Sequence, residues 1–356
     1  MPVINLFSKY ESKLEERFKQ RSFTEAWVGS NYSWEGVNSI KTLTLLTDEL
    51  NDYDSTASAN RFGTPTEVED ELHVYALTKK RSFSKVFDIT HVQDQMFTKN
   101  ANAYLKQMWD ERYVPEIDKY RLATWAAGAG MGTVGARLTK TSVVEAVLTA
   151  KSAMMGAGVP GENMVCFMRS DVAIATRLAS ELASNQNWTT KAIVNGKIAE
   201  IDGMAVVSVP ESYLPNGVAF IIKYKQATAD PTKLRMLRAN NEAPGYAGTL
   251  MEGLARYDSF VLDTKADGVY VYADSSNGVS AAPTITQSGN TVTITGASGA
   301  TVKYTTDGSN PKTSGTAKVY SAAITITKNT KIRAYAVDGT KLNSAIASYD
   351  ATYTAG

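Results

Sequence analysis

The chain has 356 residues, longer than one hydrophobic core usually serves, so more than one folding unit is expected. Hydrophobic residues make up 43% and charged residues 21%, the balance of an ordinary globular protein and not of a disordered or fibrous one. A net charge of +1 lacks the basic excess of a dedicated nucleic-acid binder, and no run is long and apolar enough to span a membrane.

Residues 5–22 read as a charged helix and arm, and the stretch FSKYESKLEERFKQR within them is no signal peptide, which predicts a protein made and used in a cytoplasm. Residues 39–46 (SIKTLTLL) and 72–88 alternate like two strands of a long ribbon. The connection between them is acidic: Asp48, Glu49, Asp52, Asp54, Glu67, Glu69, Asp70 and Glu71 face the single Arg61, at what would be the tip of an arm. Lys79, Lys80, Arg81 and Lys85 form a basic stretch farther along the same ribbon.

From Met96, the positions Phe97, Ala101, Tyr104, Leu105 and Met108 follow helical spacing, and Pro115 with Glu116 opens a second helical stretch. Gly130, Gly132 and Gly135 have the spacing of a dinucleotide-binding loop. An alanine-rich helical segment precedes them where that loop needs a strand, so they predict a linker. Ser142 and Glu145 fit a capping box ahead of a helix striped by Val143, Val147, Ala150 and Met154 and stopped by Gly156, Gly158 and Pro160. Residues 164–168 form a short apolar run suited to a central strand, and Ser170 with Asp171 can cap the next helix. Asn195-Gly196 and Asp202-Gly203 are hairpin signals, and extended segments come after them at 218–222, 233–238, 250–262 and 269–272. Helices and strands mixed without regular alternation make the fold class α+β.

Composition changes near residue 275. All 11 Met, all 5 Trp, both His and the lone Cys166 precede Gly253, and the chain beyond Ser275 is rich in Thr, Gly, Ser, Val and Tyr. Residues 275–283 (SSNGVSAAP) predict a flexible linker. Beyond it, short alternating runs separated by turn signals predict a β-sandwich with Ile285, Val292, Ile294, Val302, Ile324, Ile326, Ile332 and Val337 at its core.

Within residues 201–272 the phrases IDGMAVVSVPESYLP, VAFIIKYKQATADPTKLRMLR, APGYAG, EGLARYDSFVLDTK and GVYVYA occur in an order and spacing that resemble the major capsid proteins of tailed bacteriophages, which have the Hong Kong ninety-seven fold. The resemblance covers roughly residues 1–273. It implies an N-terminal arm (1–30), an extended loop (31–90), a peripheral domain with a spine helix (91–139 and 225–274) and an axial domain (140–224). The segment TVKYTTDGSNPKTSGTAKVYSAAITITKNTKIRAYAVDG, within residues 284–356, is similar to the small immunoglobulin-like domain that ends chitobiases.

What the resemblance implies about function is assembly. Hexamers and pentamers of the chain would close into an icosahedral virion capsid around double-stranded DNA in the bacterial host cytoplasm, with a separate scaffolding protein and a portal. Asp52, Asp54, Glu67, Glu69, Asp70, Glu71, Lys79, Lys80 and Arg81 are the candidate intersubunit contacts. Lys303, Tyr304, Lys331 and Arg333 are candidates for adhesion of an outward immunoglobulin-like domain to host or mucosal polysaccharide. No catalytic, cofactor-binding or metal site is expected, since His73 and His91 are the only histidines and lie in no ligand-spaced cluster. The alternatives are a cellular nanocompartment shell of the same fold and a carbohydrate-active enzyme with an accessory module; the latter lacks the strand–helix repeat of a barrel.

Overall fold

The computed structural model describes residues 22–36, 38–45, 52–53, 55–56, 60–62, 67, 70–88, 107–179, 193–194, 197–198, 200–240, 245, 248–274, 278–296, 298–339 and 341–354. The arm helix, the spine positions before residue 107, His91 and the Asn195-Gly196 turn lie outside the described residues. The chain divides into a small unit, Asn31–Thr78, and a larger one comprising Met1–Ser30 and Lys79–Gly356.

The small unit is a three-stranded antiparallel sheet. Ser39–Leu45 lies between Ser33–Glu35 and Asp70–Ala76, with Leu43 opposite Leu72 and Lys41 opposite Val74. The ribbon strand expected over 72–88 is two strands. Lys79–Asp88 pairs along its whole length with Gly248–Tyr257, which also pairs with Thr232–Asn240. A partner so far away in sequence cannot be read from local alternation, so the extended unit ends at Thr78 and the basic stretch lies in the larger unit.

The core of the larger unit is a six-stranded sheet in the order Met131–Val134, Val269–Ala273, Val218–Tyr224, Met164–Arg169, Met204–Val209 and Glu200–Ile201. Met164–Arg169 is buried at every position, as a central strand flanked by neighbours on both sides must be. Asp202 and Gly203, both at positive φ, turn Glu200–Ile201 back onto Met204–Val209. The glycine-rich segment is more than a linker: Met131–Val134 forms a parallel edge strand against Val269–Ala273. The sheet therefore takes strands from segments that the resemblance assigns to both peripheral and axial domains.

One sheet face packs on the helix Val143–Gly156 through Val143, Val147, Ala150 and Met154, the stripe expected from spacing. Its capping box is not made. The Ser142 hydroxyl instead accepts from the Thr139 amide at 3.1 Å, closing the preceding turn. The other face packs on the helix Val114–Gly128, where Leu122, Trp125 and Ala126 meet Val165, Phe167 and Ile221. Pro115 lies where the π-helical turn Trp109–Tyr113 passes into this helix, a widened turn that accommodates its ring and missing N–H.

Residues 284–351 form the expected sandwich. Thr284–Ser288, Thr291–Thr295 and Ile324–Thr325 make one sheet; Lys318–Val319, Thr301–Thr305, Thr330–Val337 and Ala347–Ala351 make the other. Val292, Ile294, Val302, Ile326 and Ile332 fill the core, with Ile285 and Ile324 at its margin. Val337 lies outside that cluster, because alternation along its strand turns Ile332, Ala334 and Ala336 inward and Arg333, Tyr335 and Val337 outward.

Candidate assembly interface

Among the described residues of the extended unit, one sheet face carries an exposed apolar strip beside Lys41. Leu43, Leu72 and Val74 share one face and are 62%, 55% and 52% exposed, an arrangement a lone sheet in water does not favour. Tyr53 and Phe62 pair with ring centroids 5.0 Å apart, next in sequence to exposed Asp52, and Glu67 is exposed as well. Asp54 and Glu69 lie outside the described residues, and Asp70 and Glu71 open the strand opposite Leu45 and Thr44.

The basic candidates are partly engaged within the larger unit. Arg81 Nε donates to Glu116 Oε1 at 2.6 Å, and the Tyr257 hydroxyl donates to the same oxygen at 2.8 Å. Lys79 stands over the Tyr120 ring at 4.9 Å, while Lys80 is exposed. Desolvation is the largest cause holding the Tyr257 phenol above its usual range, and the Glu116 carboxylate adds to it.

Sequence reasoning missed the charged groups buried within the larger unit. Asp118, Arg121 and Trp125 lie on one side of the helix Val114–Gly128 and hold the segment 22–29. Asp118 accepts from Ser22 Oγ (2.7 Å), Phe23 N (2.8 Å) and Thr24 Oγ1 (2.6 Å). Arg121 donates to Thr24 Oγ1 at 3.0 Å, Glu25 Oε2 at 2.9 Å and Thr232 Oγ1 at 3.1 Å. Asp230, fully enclosed, accepts from Trp125 Nε1 (2.9 Å), Ser259 Oγ (2.5 Å), Thr228 Oγ1 (2.6 Å) and Gly29 N (3.3 Å).

Lys223, on the central strand Val218–Tyr224, faces this carboxylate at 3.5 Å, donates to Trp27 O at 2.7 Å and lies 3.8 Å from the Trp125 ring centroid. Burial pushes its ammonium down to about 8, against the pull of Asp230. The available signal was a lysine inside the apolar run VAFIIKY. Gly29 closes the arrangement, since a Cβ there would stand 1.7 Å from the Thr228 carbonyl oxygen. A second buried cation, Arg169, ends the strand Met164–Arg169 and pairs with Asp171 and Asp274, joining strand ends to a helix start.

The four adhesion candidates lie in different settings. Lys331 is exposed and Lys303 half-buried; Tyr304 packs against the sandwich core, and Arg333 lies 3.8 Å from Asp267 outside the sandwich. Cys166 is buried in the central strand, and burial pushes its thiol far above the usual range. Among the described residues no group of His, Cys, Asp and Glu could hold a metal ion, and no helix is long and apolar enough to cross a membrane.

Comparison with known structures places this architecture. The capsid structure of the cyanophage P-SCSP1u superposes with a TM-score of 0.60 at 14% identity, over 74% of this chain and 91% of that one. A chain from Mycobacterium phage Che8 gives 0.57 at 16% identity over 76% and 97%, and the mature capsid of bacteriophage PhiM1 gives 0.56 at 10% over 74% and 90%. Residues 281–348 match the model of the chitobiase/beta-hexosaminidase C-terminal domain. No curated protein matches the chain in sequence. The fold is therefore the phage-capsid fold that the sequence phrases imply, with an immunoglobulin-like sandwich after it.

Proposed function

We propose that the chain is a major coat protein whose copies form hexamers and pentamers and close into the icosahedral head of a tailed phage around double-stranded DNA. The capsid fold carries this reading, and the exposed apolar strip of Leu43, Leu72 and Val74 supports it, because a second copy is the natural cover for a surface repeated on every subunit. Its mechanism is association and involves no catalysis. The acidic tip around Asp52 and Glu67 guides register by charge, each exposed pair adding about 0–1 kcal/mol and the sum over a shell setting its salt sensitivity. Assembly takes place in the bacterial host cytoplasm with a separate scaffolding protein and a portal, and the DNA is enclosed without sequence recognition.

The immunoglobulin-like domain offers Lys303 and Lys331 for weak electrostatic adhesion to anionic host or mucosal polysaccharide, with Tyr304 and Arg333 supporting them from the core and from the flank. A cellular nanocompartment shell would share the fold but enclose protein cargo. Mass spectrometry of density-banded particles decides between them: the chain is expected as the most abundant protein of DNA-filled tailed particles. Its recovery only in DNA-free shells with an enclosed protein would move the reading to the nanocompartment.

A further inference from the structure

The helix Val114–Gly128 ends inside the protein, and its last carbonyls need partners from elsewhere. The C-terminal sandwich supplies a donor to two carbonyls at this end. Lys312 Nζ donates to Ala127 O at 3.1 Å and to Ala129 O at 2.6 Å, placing an amine donor at the negative end of the helix. Just past the helix end, the next carbonyl outward is used as well: Ile346 N donates to Gly130 O at 2.9 Å, beside the edge strand Met131–Val134.

Other parts of the sandwich converge on the same region, and so do residues 278–280, which are paired and packed and not the flexible linker that composition predicts. The Thr313 hydroxyl donates to the Asp263 carboxylate, and Arg333 lies 3.8 Å from Asp267. Val279 and Leu342 bridge to each other and pack against the core cluster that contains Trp125 and Val271. Gly278 sits so close to the backbone of Asn216 that a Cβ would stand 2.3 Å from its carbonyl oxygen. Tyr335 gives independent support: it points away from the sandwich core yet is only 5% exposed, with Lys312 Nζ 5.9 Å from its ring centroid.

We propose that the C-terminal domain is an intramolecular clamp, in which Lys312 and Ile346 cap the end of the helix Val114–Gly128 and the entry to the edge strand, so that the domain braces the shell-forming body. This function goes beyond shell assembly and does not depend on it, because every contact lies within one chain. It also narrows what the domain presents to an outside partner, since Arg333 and Tyr335 are already covered, which leaves exposed Lys331 and half-buried Lys303 as the open part of the same sheet face.

All 5 tryptophans precede Gly253, so tryptophan fluorescence in the full-length, unassembled chain reports the body and not the sandwich. Lys312→Glu is expected to lower the fluorescence-detected melting midpoint by about 3 °C and to speed proteolytic cleavage at the exposed Ala281-Ala282 about tenfold. Lys318→Glu, at an exposed edge of the same sandwich, should change neither. Because Lys312→Glu could disturb its own loop, Asp263→Ala/Asp267→Ala tests the clamp from the body side, with the same two shifts expected at smaller size. An unchanged body midpoint in both variants overturns the clamp, even if cleavage accelerates, because the domain would then rest on the body without bracing it.

Discussion

Asp230→Ala is expected to destabilise the larger unit by about 3–5 kcal/mol, the usual cost of leaving one member of a buried ion pair behind. The substitution removes the counter-charge of Lys223 and also the shared acceptor of Trp125, Ser259, Thr228 and Gly29. Urea unfolding monitored by tryptophan fluorescence measures it. Lys223→Met/Asp230→Ala should recover part of the loss, because no uncompensated charge remains. If the double variant is no more stable than Asp230→Ala, the lost hydrogen bonds and not the stranded ammonium dominate.

The same pair has a pH signature. The folded chain holds the Lys223 pKa near 8, below the ordinary 10.5, so between those values the unfolded chain binds a proton that the folded chain gives up. This contribution therefore makes stability rise with pH from about 8 toward 10.5, and its penalty is complete below the lower value. Asp230 holds the ammonium's pKa up, so Asp230→Ala should start the rise at lower pH.

The second large effect is on association. Leu43 and Leu72 face each other across the extended unit and are mostly exposed, so Leu43→Asp/Leu72→Asp should cost the chain only about 1–2 kcal/mol, from two like charges opposed across the strands and the poor fit of Asp in a strand. Covering two leucines in a contact contributes about 1.5–3 kcal/mol each, so losing both should weaken that contact by about two to four orders of magnitude. Sedimentation of the purified variant is expected to show soluble chain and few or no particles. Particles at the original yield would mean that this face stays in water after assembly.

Legibility in the sequence tracked the range of the interaction. The stripe Val143, Val147, Ala150 and Met154 and the sandwich core from Val292 to Ile332 are periodic patterns, and each lies where its spacing requires. The strand Met164–Arg169 was visible as a short apolar run. What local pattern could not supply was the partner of a strand. Lys79–Asp88 read as a continuation of the ribbon because its alternation is equally good against Gly248–Tyr257, and Met131–Val134 was hidden by glycines that permit close approach to Val271 and Tyr272.

The buried charges were hidden for a related reason. Asp118, Arg121, Asp230 and Lys312 look like surface residues until the groups they hold, up to 201 residues away for Asp230, are brought to them by the fold. Residue type marked the extended loop as a contact region through its acids, whereas the described surface adds the apolar face of Leu43, Leu72 and Val74. That face uses ordinary strand residues and carries no compositional signal.

Electron microscopy of the purified full-length protein across a concentration and salt series tests the proposed shell building most directly. Closed shells, or curved sheets of six-subunit rings, are expected, and they should be lost in Leu43→Asp/Leu72→Asp. Discrete single chains under every condition, alone and with the proteins that co-purify from its host, would contradict it.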